Sequence, residues 1–320
     1  MVNDTECILV TGGAGFIGSH LVDSLLEDGS RVVVLDNMST GSRSNLSKWL
    51  KDRRLRIIEG DILNRRDVEL AVRKCSTIFH LAADPEVRLG AEKPSVHYRQ
   101  NIQGTFNLLE VARRRFVRRV VFASTSAVYG DVKSIPVSES YGPLKPISVY
   151  GASKLACEGL ITSYSHSFNM EFIVYRLANI VGPRSRHGII FDFVKKLRRN
   201  PRRLEILGDG KQIRSYLAVD DCIEAMVAGL QRSEMWGEIL NVASEDYVDV
   251  TAVADIVVEK MVLSGVEYVY ISNVSGGRGW IGDVKKIHLS AQKLKSYGWR
   301  PNSNSRQSVG FAAEAIIDEA

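Results

Sequence analysis

The chain has 320 residues, 45% of them apolar and 25% charged, with a net charge of +5. This is ordinary globular composition and excludes a wholly disordered chain or a collagen-like fibre. Mean hydropathy is −0.06, and no stretch approaches the roughly 18 uncharged apolar residues of a membrane-spanning helix.

In chain order, short β-branched runs alternate with amphipathic stretches. Strands are expected at 7–11, 31–36, 55–60, 77–81, 119–124 and 171–177, and helices at 16–28, 65–74, 96–115 and 149–168. Most of the strand runs are continuously apolar, which suits a parallel sheet covered on both faces. Strand–helix alternation with right-handed crossovers predicts an α/β fold with a doubly wound parallel sheet, a Rossmann domain. After Leu177 the pattern changes: a basic helix at 191–199, strands at 203–207 and 238–242, and helices at 220–231 and 250–263 predict a smaller α/β lobe. The expected division is 1–177 for the first domain, with a return around 215–244, and 178–214 plus 245–320 for the lobe.

Met1 runs directly into the first apolar strand, so no signal peptide is expected and the location is read as cytoplasmic. Cys7, Cys75, Cys157 and Cys222 are scattered, with no CxxC pair or zinc-ligand spacing, and read as reduced thiols with no metal. The basic excess gathers around Arg113–Arg119 and Lys195–Arg203 without interleaved aromatics, so a nucleic-acid partner is not expected.

The first chemistry-bearing motif is the strand Ile8-Leu9-Val10-Thr11 followed by Gly12-x-x-Gly15-x-x-Gly18. Gly12 takes the turn off the strand, Gly15 lets backbone approach a pyrophosphate, and Gly18 lets the next helix pack closely. Phe16, Ile17 and Gly18 open that helix, whose N–H groups and positive dipole end receive the anion. Asp36 ends the second strand, 18 residues past Gly18, where a carboxylate accepts the ribose hydroxyls and repels a 2′-phosphate. NAD is therefore expected, with Asn37 beside Asp36, Asp61 after the third strand facing the adenine amino group, and Ile62 next to it as a further cofactor contact.

Tyr150-Gly151-Ala152-Ser153-Lys154 places Tyr150 and Lys154 four apart, on one helix face. A phenol is a weak base at neutral pH, and a neighbouring ammonium together with an oxidised nicotinamide favours its phenolate. The hydroxyls Ser124, Thr125 and Ser126 end the fifth strand, where side chains point into the ligand crevice of such a sheet.

Together with His80-Leu81-Ala82-Ala83, Asn101-x-x-Gly104-Thr105, Tyr175–Pro183 and Arg278-Gly279-Trp280-Ile281-Gly282-Asp283, these motifs resemble the extended short-chain dehydrogenase/reductases, and within them archaeal-type UDP-glucose (UDP-galactose) 4-epimerases. The resemblance covers nearly the whole chain. It implies a catalytic triad of Thr125, Tyr150 and Lys154, further cofactor contacts at Leu81, Ala82, Ala83 and Asn101, and a UDP-hexose substrate. It places Ser126 near the sugar, Asn179, Arg214 and Arg278 at the diphosphate, and Asp283 at the uridine ribose. It also implies a homodimer through a four-helix bundle.

Departures narrow the chemistry. Similar dehydratases follow the catalytic Thr with Asp-Glu, and similar UDP-glucuronate decarboxylases carry Glu at the second of those places; this chain has Ser126 and Ala127. Redox without elimination is what remains, as epimerisation requires. Pro85 stands where some sugar epimerases place a lysine, and Ile287 at a place that influences acceptance of N-acetylated sugars. Epimerisation of another UDP-hexose (UDP-glucuronate or UDP-N-acetylglucosamine) is the alternative, and a non-catalytic NAD-sensing regulator a more distant one.

Overall fold

The computed structural model describes residues 7–272 and 274–319. Its main sheet has seven parallel strands: β1 Cys7–Thr11, β2 Arg31–Asp36, β3 Leu55–Glu59, β4 Cys75–His80, β5 Arg119–Thr125, β6 Glu171–Leu177 and β7 Glu238–Val242. Their spatial order is β7-β6-β5-β4-β1-β2-β3. The chain starts at β1, winds outward through β2 and β3, and then returns to β4 on the other side of β1. That reversal opens a crevice between the carboxyl ends of β1 and β4, where an open α/β sheet binds its ligand. The helices that matter for the site are α1 Phe16–Glu27, α2 Arg65–Val72, α3 Gly104–Arg114 and α4 Val149–Phe168.

The reasons are local. Asn64 caps α2 by accepting the Arg66 N–H at 3.1 Å. Leu21, Val22, Leu25 and Leu26 lie buried on one stripe of α1, each contributing roughly 1.5–3 kcal/mol by leaving water. Val33, Leu35, Ile78, Val120, Phe122 and Val174 of the sheet pack in one core with Val68 and Ala71 of α2, Leu108 and Leu109 of α3, and Cys157 and Ile161 of α4.

The expected single helix at 96–115 is three pieces: Pro94–His97, a wider π-helical stretch Tyr98–Gln103, and α3. Pro94 sets the earlier start as an N-terminal helical residue. In the wide stretch the Asn101 carbonyl accepts from the Thr105 hydroxyl at 2.6 Å and the Cys157 thiol at 3.2 Å, bonds that a regular helical ladder does not supply. A helix Ser305–Glu319 and a strand Glu267–Ile271 are absent from the expected elements.

The chain divides into two compact units. The first holds residues up to Thr125, Val149–Arg176 and Ile223–Leu240; the second holds Ser126–Ser148, Leu177–Cys222 and the chain from Asn241. The expected first domain of 1–177 included Ser126–Ser148, and the contacts explain why that segment belongs elsewhere. Val137 donates its N–H to His288 O and accepts from Ser290 N–H, both at 2.8 Å, and the Tyr129 hydroxyl donates to Asn241 Oδ1 at 2.8 Å. The second unit has its own core, in which Phe193, Leu197, Leu204, Ile206, Val253 and Val257 pack together. Among the described residues no helix is long and apolar enough to cross a membrane.

Candidate active site

The glycine turn leaves β1 with Gly12 at φ +71°, a left-handed conformation that favours glycine. A Cβ on Gly12 would lie 2.8 Å from Ala82 N, and one on Gly18 only 2.1 Å from Gly12 O. The Gly12 N–H donates to Leu35 O at 2.9 Å and the Gly15 N–H to Gly12 O at 3.1 Å, which closes the turn. Gly15 is the N-cap of α1; no side chain caps that end and no acidic residue sits in its first turn. Uncapped N–H donors at a positive helix end are suited to an anion.

Asp36 is buried at the end of β2. Its Oδ2 accepts the Ala14 N–H at 2.9 Å and its Oδ1 the Met38 N–H at 2.8 Å. Burial pushes its carboxyl above the ordinary value, and those two bonds oppose the rise. Each carboxylate oxygen keeps acceptor capacity for a ribose hydroxyl. Asn37 donates from Nδ2 to Asp61 Oδ2 at 2.9 Å, joining the ends of β2 and β3, while Asp61 Oδ1 accepts the Leu63 N–H. Ile62 is buried, with its side chain in the space a Cβ on Gly104 would take. Leu81 donates its N–H to Thr11 O at 3.1 Å, and Ala82 its N–H to Thr11 Oγ1 at 3.2 Å. The sheet thus gathers the glycine turn, Asp36, Asp61 and the Leu81–Ala83 segment along its carboxyl edge.

Asn101, expected at the cofactor, spends its amide on the protein. Oδ1 accepts the Asp84 N–H at 2.9 Å and Nδ2 donates to Ser153 Oγ at 2.9 Å. It braces the loop after β4 against the helix that carries Tyr150 and Lys154.

Thr125 ends β5, and its side chain hydrogen-bonds Tyr150 on the first turn of α4. Burial pushes the Tyr150 phenol up to about 12, against the opposing pull of that hydrogen bond. Lys154 is buried with its ammonium 4.2 Å from the centre of the Phe122 ring, and burial brings its pKa down to about 8, opposed by Cys157 and Glu158. The amine alone therefore does not make the phenol acidic; the reading of the sequence needs the further positive charge of an oxidised nicotinamide.

His80 lies beneath this site and was not expected there. Thr105 gives its hydroxyl proton to Asn101 O, so His80 Nε2 donates to Thr105 Oγ1 at 2.9 Å and Nδ1 accepts from Thr11 Oγ1 at 2.8 Å. Burial, then the Lys154 charge, lowers its pKa to about 3. It is a neutral clamp between β1, β4 and α3, and the His80-Leu81-Ala82-Ala83 motif was the signal that could have found it.

In the second unit a polar cluster is built on Asp283, which is 3% exposed. Its Oδ1 accepts Arg214 Nη2 at 2.6 Å and its Oδ2 the Gly279 N–H at 3.0 Å. Arg278 donates to the Asp283 carbonyl and forks onto Asp131 through Nη1 at 3.1 Å and Nη2 at 2.8 Å. Asp131 holds the Arg278 pKa above its ordinary value. No sequence motif pointed to Asp131. Asn179 donates from Nδ2 to Ser215 O at 3.2 Å, next to Arg214 in the chain. Ser126 opens a short 3₁₀ turn, Ser126–Tyr129, directly after Thr125.

A glycine turn at the β1–β4 reversal, an acidic β2 end and a Tyr-x-x-x-Lys helix define a dinucleotide-dependent enzyme of the Rossmann class. The NAD-dependent epimerase/dehydratase family model matches residues 8–243, and the chain belongs to that family, with NAD as its cofactor. A Methanocaldococcus jannaschii protein provisionally named UDP-glucose 4-epimerase is 33% identical over 94% of this chain and 95% of its own. A solved UDP-galactose 4-epimerase is 43% identical with a TM-score of 0.87, covering 98% of this chain and 99% of its own. The UDP-glucuronic acid 4-epimerase of Bacillus cereus, solved with UDP-glucuronic acid and NAD, is 28% identical with a TM-score of 0.89, covering 98% and 100%.

Proposed function

We propose that the protein is a UDP-glucose/UDP-galactose 4-epimerase, inverting C4 through a transient 4-keto sugar. The observation that carries this reading is the hydrogen-bonded Thr125–Tyr150 pair, with Lys154 one turn on, followed in the chain by Ser126 and Ala127. That set can move a proton at a sugar hydroxyl, and it lacks the extra acid and base that elimination of water would need. Names among the similar proteins support a UDP-hexose but include UDP-glucuronate and UDP-N-acetylglucosamine epimerases; the glucose/galactose pair is favoured by the 43% identity of the UDP-galactose enzyme.

The site residues divide the work. Gly12, Gly15 and the first turn of α1 hold the pyrophosphate of NAD, and Asp36 its adenosine ribose. NAD⁺ held there would supply the acceptor, and later the donor, of the C4 hydride. Tyr150 as phenolate takes the 4-hydroxyl proton and later returns it. Thr125 bonds the oxygen that changes hybridisation, and Lys154 keeps the phenolate anionic. Arg214, Arg278 and Asn179 hold the diphosphate and Asp283 the uridine ribose, so the keto sugar can turn about its linkage while the nucleotide stays anchored. Arg278 then exchanges Asp131 for phosphate oxygens, a geometry its planar fork satisfies equally well. Phe106 of α3 and Tyr98 leave large apolar surfaces exposed, and we assign this side of the first unit to a homodimer contact.

The test is a panel of UDP-galactose, UDP-glucose, UDP-glucuronate and UDP-N-acetylglucosamine followed by proton NMR. The reading predicts C4 inversion between UDP-galactose and UDP-glucose, faster than for the other two. Faster inversion of UDP-glucuronate would move the assignment to that substrate, and no inversion of any would reject epimerisation.

A further inference from the structure

Glu158 lies one turn beyond Lys154 and two beyond Tyr150 on the same face of α4, and the reaction as described does not use it. It is 3% exposed, and Arg176, its partner from β6, 4%. Arg176 Nη2 donates to Glu158 Oε2 at 2.7 Å and Nε to Oε1 at 3.1 Å. Ser124 Oγ adds a bond to Oε1 at 2.5 Å, and Ser124 immediately precedes Thr125. One carboxylate therefore ties together the helix of Tyr150 and Lys154, the strand end that presents Thr125, and β6.

Packing alone does not call for this arrangement. A buried ion pair costs as much to desolvate as its attraction returns, and apolar residues of the same volume often do better. The charge itself needs a use. The groups bearing on Lys154 are Cys157 and Glu158 of its own helix, His80 of β4 and the Phe122 ring of β5; Arg176 of β6 stands behind Glu158, and Thr125, Cys157 and Asp84 bear on Tyr150. His80 is held neutral, and burial keeps the Cys157 thiol protonated by raising its pKa. That leaves Glu158 as the carboxylate acting on Lys154.

We propose that Glu158 is a positioning residue of the redox site: its charge keeps Lys154 cationic, and its bond to Ser124 fixes the strand end from which Thr125 meets Tyr150. This rests on the reading of Thr125, Tyr150 and Lys154 as the reacting triad. Glu158→Gln preserves size but removes the negative charge that bears on Lys154. Lys154 then loses its proton at lower pH, because burial already disfavours its ammonium and the carboxylate charge that opposes burial is gone.

In the NAD-loaded enzyme, Glu158→Gln is expected to move the alkaline limb of the kcat profile down by about one pH unit, with kcat at pH 8 about tenfold lower and KM within about twofold. Ser124→Ala removes only the tie to the strand. It is expected to lower kcat about fivefold, one net hydrogen bond of roughly 1 kcal/mol, with the alkaline limb unmoved. A parent-like limb in Glu158→Gln, or a parent-like kcat in Ser124→Ala, overturns the proposal. If Glu158→Gln fails to fold, the Ser124→Ala result decides. If the parent inverts no UDP-hexose, the triad reading fails, and the near-ultraviolet phenolate titration of Tyr150, with the Tyr150→Phe spectrum subtracted, still tests Glu158. Glu158→Gln must then raise the pH at which that phenolate forms; an unchanged titration overturns the inference.

Discussion

Tyr150→Phe is expected to lower kcat for UDP-hexose inversion by roughly 10²–10⁴-fold, the range a positioned acid–base group contributes, while the protein keeps its NAD. The substitution removes one oxygen and little volume, so α4 and the Thr125 strand end stay in place. The size of the effect follows from the geometry: the Tyr150 hydroxyl is the titratable group that Thr125 reaches. The carboxylate that bears on Tyr150, Asp84, is engaged on its own loop, where its Oδ1 accepts the Glu86 N–H at 3.0 Å. The check is steady-state inversion by NMR alongside the NAD content of the purified variant. A kcat within tenfold of the parent would remove Tyr150 from its role.

Gly18→Ala is the second large effect and has a different signature. The added Cβ would stand 2.1 Å from Gly12 O, 2.8 Å from Gly12 C and 2.8 Å from Gly13 Cα, all backbone atoms that hold the turn. A flexible neighbour could give way; this turn cannot without reshaping the phosphate cradle. Overpacking of this kind costs about 1–3 kcal/mol. The variant is expected to purify with little NAD, to melt several degrees lower, and to show its activity loss chiefly through the cofactor. Melting temperature and bound NAD measured together check this, and a normally loaded variant would contradict the assigned cradle. The two substitutions separate the roles: one spares the cofactor and loses the chemistry, and the other loses the cofactor first.

Much of this was legible in the sequence because the signals were local. Continuous β-branched runs between turn residues located β1, β2 and β6 to the residue, and the spacing of Gly12, Gly15 and Gly18 located the tight turn from β1 into α1. The i, i+4 spacing of Tyr150 and Lys154 put both on one helix. What escaped is what depends on distant partners. Arg278 meets Asp131 across 147 positions, and Ser124 meets Glu158 across 34. Nothing in periodicity reveals such pairs. Ser126–Ser148 follows a strand of the first unit, so the sequence gives it to that unit, yet its bonds run to His288, Ser290 and Asn241 of the second. The Tyr150 environment differs as well. Spacing puts an ammonium one turn from the phenol, whereas in the fold burial raises the phenol and lowers the amine. Desolvation is a property of the folded interior, and motif spacing does not carry it.

The central claim is that C4 inverts by oxidation to a ketone and return of the same hydrogen, with Tyr150 handling only the hydroxyl proton. The most direct measurement is inversion of UDP-galactose by the NAD-loaded protein in D₂O, with the product examined by proton NMR and mass spectrometry. The expected product is UDP-glucose that keeps protium at C4, with no gain of non-exchangeable deuterium. Deuterium appearing at C4 in step with inversion would show a carbon–hydrogen bond broken by a solvent-exchanging base, and would contradict it.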